Sequence, residues 1–383
     1  MNVRVSEEFG MYFARIPLTS TPHIHHANAL TTGWNDVLLA QRARYIFGNP
    51  PFVGKKEQSA AQKDDVAPIF APIKGSGVLD YVAAWYIKAA EYIRDSSIRC
   101  AFVSTNSITQ GEQVGVLWSW LLAQDIHIHF AHRTFRWSNE ARGVAAVHCV
   151  IIGFGAANPD KKTIYEYEDI RGEPHAVTVT NINPYLVDAP DVLLEKRNAP
   201  ICSVPQLNKG SEATDFGHLL LSPEEKAELL KIQPNAKKWL RRIIGGEELL
   251  NKLERWCLWL VGITPQELKA LPLVLARVER VKQARLESGK ARTREWAAYP
   301  TLFSENRQPD ADYLAVPKVS SERRVYMPIG FVEKGWIASG SVLVAPNAGL
   351  FHFGLIQSAM HMAWMRYTCG RMKSDYQYSA SIV

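Results

Sequence analysis

The stretch Tyr45-Ile46-Phe47-Gly48-Asn49-Pro50-Pro51-Phe52 decides the fold. Its first four residues predict a short buried strand, which the prolines end because proline fixes φ and lacks a backbone N–H donor. The stiffened turn holds the Asn49 side chain and the Pro50 carbonyl still, so both oxygens can accept hydrogen bonds from one exocyclic amino group. Phe52 follows as a ring able to stack on a flat base swung out of a duplex. A plain Asn-Pro-Pro turn that closes a strand is the alternative interpretation.

Around this stretch the sequence alternates between predicted strands and helices. Such alternation is typical of a doubly wound α/β sheet. Ligands of these sheets bind outside the carboxyl ends of the strands, where Asn49 and the polar run Ser104 to Asn106 would lie. The predicted helices run from Leu79 to Ile93 and from about Gln113 to Ala123, and the further strands are Cys100 to Val103, Ile126 to Phe130 and Ala145 to Phe154.

The pattern changes after Gly155, and a second domain is the economical interpretation. Thr163 to Val179 predicts a pair of strands. Ser222-Pro223 and Thr264-Pro265 are typical helix starts, since Ser or Thr caps the first turn and Pro suits its first position. We therefore predict an α/β domain in residues 1–158 and a mixed α+β domain in residues 159–383.

The composition is that of a globular protein with a mild basic excess. Of 383 residues, 47% are hydrophobic, and the net charge of +6 permits a nucleic-acid partner without identifying one. Five isolated cysteines predict buried thiols in a reducing cytoplasm. No signal peptide is recognisable, and Pro346 interrupts the most apolar late stretch, which argues against a membrane span. We interpret the clustered histidines at 23–26 and 127–132 as surface or hydrogen-bonded side chains and expect no metal site.

Asn49-Pro50-Pro51-Phe52 matches the (D/N)-P-P-(F/Y) catalytic motif of amino-group methyltransferases that use S-adenosyl-L-methionine. The run from Phe135 to Ala141, followed by Val147 to Phe154, looks like the loop and hairpin that close over the target base. Together these features resemble the MmeI-like DNA methyltransferases of bacterial restriction–modification systems. Looser matches are His26 to Leu30 with Trp34, Asp80-Tyr81 with Trp85, and Phe102 to Ser107.

This resemblance implies a site-specific DNA adenine-N6 methyltransferase in the cytoplasm. Residues 1–158 would form a partial Rossmann-like class I methyltransferase sheet, and residues 159–383 a target-recognition domain. The implied partner is double-stranded DNA, the implied cofactor is S-adenosyl-L-methionine, and the methyl would pass directly to the adenine amino nitrogen. The implied residues are Asn49, Pro50, Pro51 and Phe52 for catalysis, Asn28 and Asp80 for the cofactor, and Phe135, Trp137, Asn139, Glu322, Arg323 and Arg324 for DNA.

Two charged stretches of the second domain are candidates for DNA contact. In the run Glu322-Arg323-Arg324, arginine can pair bidentately with guanine and glutamate can accept from cytosine. The alternative is an exposed charged turn between two strands. Lys269 to Arg294 holds eight Lys or Arg against two Glu, a charge excess that could lie along phosphates or form a solvated helix face.

The chain departs from the family pattern before its catalytic motif. Only 48 residues precede Asn49, and they lack the glycine-rich F-x-G-x-G strand–turn that holds the methyl donor. We therefore expect a fragment whose donor-binding segment lies in a missing amino-terminal half or in a partner chain. Two other functions stay open: a DNA-binding specificity module without catalysis, and a methyltransferase acting on RNA or on a protein glutamine. The large second domain argues against the latter.

Overall fold

The computed structural model describes residues 23–137, 147–372 and 375–381. Its first domain contains a six-stranded mixed sheet with the order β1-β2-β4-β3-β5-β6, which confirms the predicted α/β class. β1 and β2 are parallel, as are β3 and β5, and the other neighbouring pairs are antiparallel. The strands are β1 (Tyr45–Gly48), β2 (Arg99–Thr105), β3 (His127–Trp137), β4 (Val147–Gly155), β5 (Lys162–Glu166) and β6 (His175–Val179).

An aromatic core fixes the helices of the first domain against this sheet. Tyr86 and Trp118 are fully buried, and the Tyr86 ring stacks on Phe154 of β4 with 5.2 Å between the ring centroids. The Tyr86 hydroxyl shares a hydrogen bond of 2.8 Å with Ser104 at the end of β2. The packing therefore ties the helix Ala83–Tyr92 to the carboxyl end of β2. The helices are α1 (Trp34–Val37), α2 (Ala60–Phe70), α3 (Ala83–Tyr92) and α4 (Glu112–Ala123).

β1 lies at the edge of the sheet and is not the buried strand that its apolar sequence predicted. Within the described residues it pairs only with β2, where Ile46 lies opposite Cys100. Alternate side chains of a strand point to opposite faces, and the outward pair, Tyr45 and Phe47, is 67% and 83% exposed. The prediction was wrong because apolar composition alone does not reveal whether a neighbour covers a strand.

β5 and β6 form the antiparallel pair expected over Thr163 to Val179, with Ile164 opposite Val177. Through the pairing of β5 with β3 they extend the first sheet. Ile182 and Leu186 also belong to the core of the first domain. Hydrogen bonding and packing therefore carry this domain past the boundary expected after residue 158, to about Leu186.

The described residues of the second domain form three small sheets in place of one large one. Their strand orders are β14-β9-β10-β8, β13-β11-β15-β7 and β12-β17-β16. This mixture of small sheets with short helices is the predicted α+β class. The strands are β7 (Asn208–Lys209), β8 (Leu220–Leu221), β9 (Leu240–Ile244), β10 (Trp256–Leu258), β11 (Tyr313–Pro317), β12 (Val319–Ser320), β13 (Gly330–Val332), β14 (Ile337–Ala338), β15 (Val342–Pro346), β16 (Gly370–Met372) and β17 (Asp375–Gln377).

Two helix starts of the second domain are capped as their sequences predict. The Ser222 and Thr264 hydroxyls each accept a hydrogen bond from a backbone N–H three residues on, and the Glu225 and Glu267 carboxylates each accept one from the N–H of the cap residue. No helix in the described part of the chain is both long and apolar enough to cross a membrane. The helices are α5 (Pro223–Ile232), α6 (Gly246–Asn251), α7 (Pro265–Lys269), α8 (Pro272–Leu286), α9 (Ala291–Glu295), α10 (Leu350–Ile356) and α11 (Ala359–Thr368).

Arg285 on α8 is fully buried and ties this helix to residues 213–214 and 296–302 of the second domain. All five N–H groups of its guanidinium donate to backbone carbonyls at 2.8–3.0 Å. Arg277, also in the basic stretch, pairs with Glu225 at 2.8 Å. These two arginines therefore hold the fold and are not available to lie along phosphates. The carbonyls that Arg285 contacts belong to Ala213, Thr214, Trp296, Tyr299 and Leu302.

The two domains meet at the first turn of α4. The Gly111 N–H donates to the Thr368 carbonyl at 2.9 Å. Next to it, the Glu112 carboxylate accepts a 2.6 Å hydrogen bond from Ser381 and lies 3.4 Å from the Lys196 ammonium. Gly111 has φ +63° and ψ −152°, a conformation that is essentially restricted to glycine. The interface therefore depends on a glycine at this position.

The cysteines are mostly, though not all, the buried thiols that the sequence predicted. Cys100, Cys149, Cys257 and Cys369 are buried, whereas Cys202 is exposed. Burial raises the pKa of the Cys100 thiol to about 12. Because the thiolate is the nucleophile, such buried cysteines are inert packing groups.

Candidate active site and recognition segment

The Asn49–Phe52 loop follows β1 at the carboxyl end of a parallel pair of strands. Asn49 is exposed, Pro50 is buried and Phe52 is half-buried. Pro50 thus anchors the turn while Asn49 faces outward. The Phe52 ring makes no ring contact with another described aromatic side chain, so none of those rings stacks on its faces.

Two hydrogen bonds donated by backbone N–H groups hold the exit of this loop. The Lys55 N–H donates to Asp80 Oδ1 at 2.7 Å, and the Tyr81 N–H donates to the Val53 carbonyl at 3.0 Å. Both partners belong to the segment that leads into α3. The loop therefore leaves Phe52 at a fixed position relative to that helix.

The second oxygen of Asp80 contacts two other segments. Oδ2 accepts from the Ser107 hydroxyl at 2.6 Å and from Gln113 Nε2 at 2.9 Å. The Asp80 N–H donates back to Gln113 Oε1 at 2.9 Å. Asp80 is only 9% exposed, so its carboxylate is engaged mainly within the protein. Ser107 follows β2 and Gln113 lies in the first turn of α4.

Asn28, the other residue expected at the cofactor, lies in an exposed turn. Its Oδ1 accepts from the Leu30 N–H at 3.0 Å, which leaves the amide Nδ2 facing outward as a donor. Lys88 of α3 anchors the turn by donating to the carbonyls of Leu30 and Thr32 at 2.6 and 2.5 Å. Burial lowers the pKa of Lys88. Asn28 and Asp80 are thus both held next to α3. Asn28 precedes the Asn49–Phe52 loop in the sequence, and Asp80 follows it.

The β3–β4 hairpin carries a row of aromatic side chains. Phe135 stacks on Tyr167 with 5.5 Å between centroids and lies 6.2 Å from Trp137. Further down the strand, His132 stacks on Tyr165 at 4.1 Å and its Nδ1 shares a 2.8 Å hydrogen bond with the Tyr167 hydroxyl. Trp137, the last residue of β3, is 38% exposed. Asn139, also expected at the DNA, lies outside the described residues.

Glu322, Arg323 and Arg324 lie in the segment between β12 and Met327. Glu322 and Arg323 are exposed and Arg324 is half-buried. The Glu322 carboxylate lies 3.9 Å from Arg371, whose guanidinium lies over the Tyr376 ring at 4.0 Å. Burial lowers the pKa of His148 on β4, and the nearby Glu322 charge acts in the opposite direction. The Glu322–Arg324 segment therefore lies within electrostatic range of the β3–β4 hairpin.

Sequence reasoning missed the residues that support these groups. Three such residues lie 33 to 58 positions along the chain from the groups they support. Each contacts a predicted site residue or the turn that carries it, and they are Gln113, Lys88 and Arg371. Their own neighbours in sequence give no signal of these contacts. Among the described residues, no group of three or more His, Cys, Asp or Glu side chains is arranged to hold a metal ion.

Family models match both domains of the chain. Residues 1–166 match the model described as MmeI, DNA-methyltransferase domain, and residues 188–383 match the model described as MmeI, target recognition domain. The fold and the motif-bearing loop are thus those of a DNA methyltransferase domain joined to a target recognition domain. The chain belongs to the MmeI family.

Two relatives extend this comparison. A solved structure of the type IIL restriction-modification enzyme MmeI in complex with DNA is 53% identical in sequence, with a TM-score of 0.93 over 100% of this chain. DNA methyltransferase A of Bacillus subtilis (strain 168) is 36% identical over 369 residues, or 96% of this chain. The chain spans 51% of that MmeI chain and 41% of DNA methyltransferase A.

Proposed function

We propose that this chain is the catalytic and target-recognition part of a site-specific DNA adenine-N6 methyltransferase. The observation that carries the proposal is the Asn49–Phe52 loop: an outward-facing amide, and a ring that stacks on no described aromatic side chain, at the carboxyl end of a parallel strand. The Asn49 Oδ1 and the Pro50 carbonyl would accept hydrogen bonds from the adenine amino group and build electron density on its nitrogen. Phe52 would stack on the flipped base and orient it. Pro51 would keep the turn rigid.

The cofactor we propose is S-adenosyl-L-methionine, which supplies an electrophilic methyl group when bound. The residues present fit part of this group. Asn28 offers an exposed amide donor, and Asp80 has accepting capacity left beyond its three hydrogen bonds. The glycine-rich turn that the family uses is not found before Asn49. We therefore propose that Asn28 contributes to the cofactor site, with Asp80 as a second candidate contact that the kinetics described below test, and that another segment supplies most of the site.

That segment, joined to this chain or in a partner chain, would add to the sheet next to β1. The outer edge of β1, which pairs with no other described strand, and the exposed rings of Tyr45 and Phe47 support this arrangement. The fact that relatives are about twice as long as this chain is consistent with it. Covering these rings would give β1 the buried environment that its sequence favours.

Double-stranded DNA is the partner we propose. Glu322, Arg323 and Arg324 would read base edges, since two of them are exposed and the third is half-buried. Phe135, Trp137 and Asn139 would contact the flipped base or the DNA near it. The exposed Trp137 ring at the end of β3 supports this part of the proposal.

The test is transfer of labelled methyl to unmodified bacterial DNA by the chain, alone and with a donor-binding segment from a relative. We expect label in N6-methyladenine that requires the added segment and is lost in Asn49→Ala. Asn251→Ala, at an exposed position of the second domain, is the matched control and should keep activity. Methyl transfer by the chain alone would contradict the proposal that another segment supplies most of the cofactor site.

Two other outcomes would replace the proposed function. DNA retention without methyl transfer under both conditions, unchanged in Asn49→Ala, would indicate a specificity module without catalysis. Label that enters RNA or protein in preference to DNA would indicate the other class of amino-group methyltransferase.

A further inference from the structure

Asp80 is a buried carboxylate whose partners are neutral. Among the described residues it forms no ion pair with a lysine or arginine side chain, and its oxygens instead accept from a backbone N–H, a hydroxyl and an amide. Burial of a carboxylate is costly unless hydrogen bonds compensate. A hydrophobic side chain would fill the same space without the desolvation cost of a carboxylate. We therefore expect the carboxylate to hold its hydrogen-bond donors in a fixed geometry.

The three donors come from three different segments of the first domain. Lys55 lies three residues after Phe52, Ser107 follows the neighbouring strand β2, and Gln113 begins α4. Ser107 in turn shares a 2.8 Å hydrogen bond with Thr105, the last residue of β2. Asp80 therefore connects the exit of the Asn49–Phe52 loop to the two elements that border it.

We propose that Asp80 is a positioning residue, which together with Ser107 and Gln113 fixes the exit of the Asn49–Phe52 loop for methyl transfer. This inference rests on the proposed function for its effect on turnover. It competes with the role of Asp80 in cofactor contact, because a residue that touches the methyl donor should alter the affinity for it. A positioning residue instead alters the rate at a saturating concentration of donor and DNA.

The hydrogen-bond pattern allows a reciprocal exchange of the carboxylate and the amide. In Asp80→Asn only one oxygen remains to accept. If Nδ2 faces Lys55, the Lys55 N–H loses its acceptor; if Nδ2 faces Gln113 Nε2, which is also a donor, the two donors repel and displace the side chain that holds Lys55. When Asp80→Asn is combined with Gln113→Glu, the carboxylate oxygens introduced at position 113 would accept from both the new Nδ2 and the backbone N–H of residue 80. The net charge is unchanged and every hydrogen bond between the two residues is restored. Asp64→Asn, at an exposed position of α2, is the matched control.

The first measurement is amide hydrogen exchange of Lys55, read by mass spectrometry on peptides that cover residues 49–57. We expect faster exchange in Asp80→Asn, wild-type exchange in the double variant and no change in Asp64→Asn. Thermal melting of each variant shows whether the rest of the chain stays folded. Because hydrogen exchange needs no turnover, this measurement decides the structural part of the inference even if the chain transfers no methyl. Failure of methyl transfer would count against the proposed function alone.

The second measurement is steady-state methyl transfer with the donor-binding segment supplied. We expect kcat to fall about 10- to 100-fold in Asp80→Asn, as for a supporting residue behind an active site, with the KM for S-adenosyl-L-methionine within about threefold of wild type. The double variant should recover most of the loss. An increase in KM at unchanged kcat, with wild-type exchange at Lys55, would overturn the inference in favour of cofactor contact.

Discussion

Replacing Arg285 by methionine should destabilise the second domain strongly, although the surface of the protein would not change. The side chain is fully buried and donates to five carbonyls. Two of these carbonyls keep another partner, since Trp296 also accepts from the Tyr299 N–H and Tyr299 from the Leu302 N–H. No other hydrogen bond between described residues reaches the remaining three, which belong to Ala213, Thr214 and Leu302.

The magnitude follows from those three carbonyls. A buried carbonyl left without a partner costs about 1–3 kcal/mol. Removing a buried guanidinium also removes its desolvation cost, which offsets part of the loss. We therefore expect a net loss of about 3–5 kcal/mol in the free energy of unfolding. For a domain of about 150–250 residues this lowers Tm by roughly 10 °C. Arg285→Lys should lie between methionine and wild type, because an ammonium has three donors in place of five.

The assay is differential scanning calorimetry, combined with hydrogen exchange of the residues around Thr214. Arg280→Met is the control, since Arg280 is exposed on the same helix. We expect the control to change Tm by less than about 2 °C, as surface substitutions usually change stability by no more than about 0.5 kcal/mol. Equal melting temperatures for the two methionine variants would refute the reasoning.

Three further changes have defined outcomes. Gly111→Ala should lower the free energy of unfolding by about 1–3 kcal/mol, measured by chemical denaturation, because alanine is strained at φ +63°. Gly77→Ala, which has open space around the added Cβ, should lower it less. Equal losses in the two variants would contradict backbone strain at Gly111. Burial lowers the pKa of Lys318 from 10.5 to about 8, so the unfolded chain binds more protons between these pH values and stability rises with pH. The rise in Tm from pH 8 to pH 10 should be smaller in Lys318→Met than in wild type. Parallel curves of Tm against pH for the two proteins would argue against a lowered pKa of Lys318. Glu322→Ala should broaden the set of methylated sites at one base position, read by sequencing of methylated DNA, and an unchanged site would remove Glu322 from base reading.

The sequence was most informative where local chemistry determines structure. The caps at Ser222 and Thr264 were predicted because an N-cap depends on residues three positions apart. The α/β class followed from apolar periodicity, which is also local. The Asn49–Phe52 motif identified the loop, and the loop does lie at the carboxyl end of a strand.

Contacts between distant segments could not be predicted in this way. For the basic stretch containing Arg285 the sequence left two interpretations open, phosphate contact and a solvated helix face, yet the guanidinium is enclosed by carbonyls up to 72 positions away. Asp80 was expected at the cofactor, and its three hydrogen-bond donors come from segments that only the tertiary fold brings together. The exposure of β1 depends on which strands are its neighbours, and the composition of a strand does not contain that information.

The first turn of α4 has a consequence for genetics. Gly111 and Glu112 contact the second domain, while the next residue, Gln113, bonds to Asp80 beside the Asn49–Phe52 loop. Substitutions at these three consecutive codons should therefore be pleiotropic, since one change disturbs both halves of the protein. Double mutants that combine them with changes in either domain should be non-additive. A screen that sorts mutants into binding-defective and turnover-defective classes would find this turn in both.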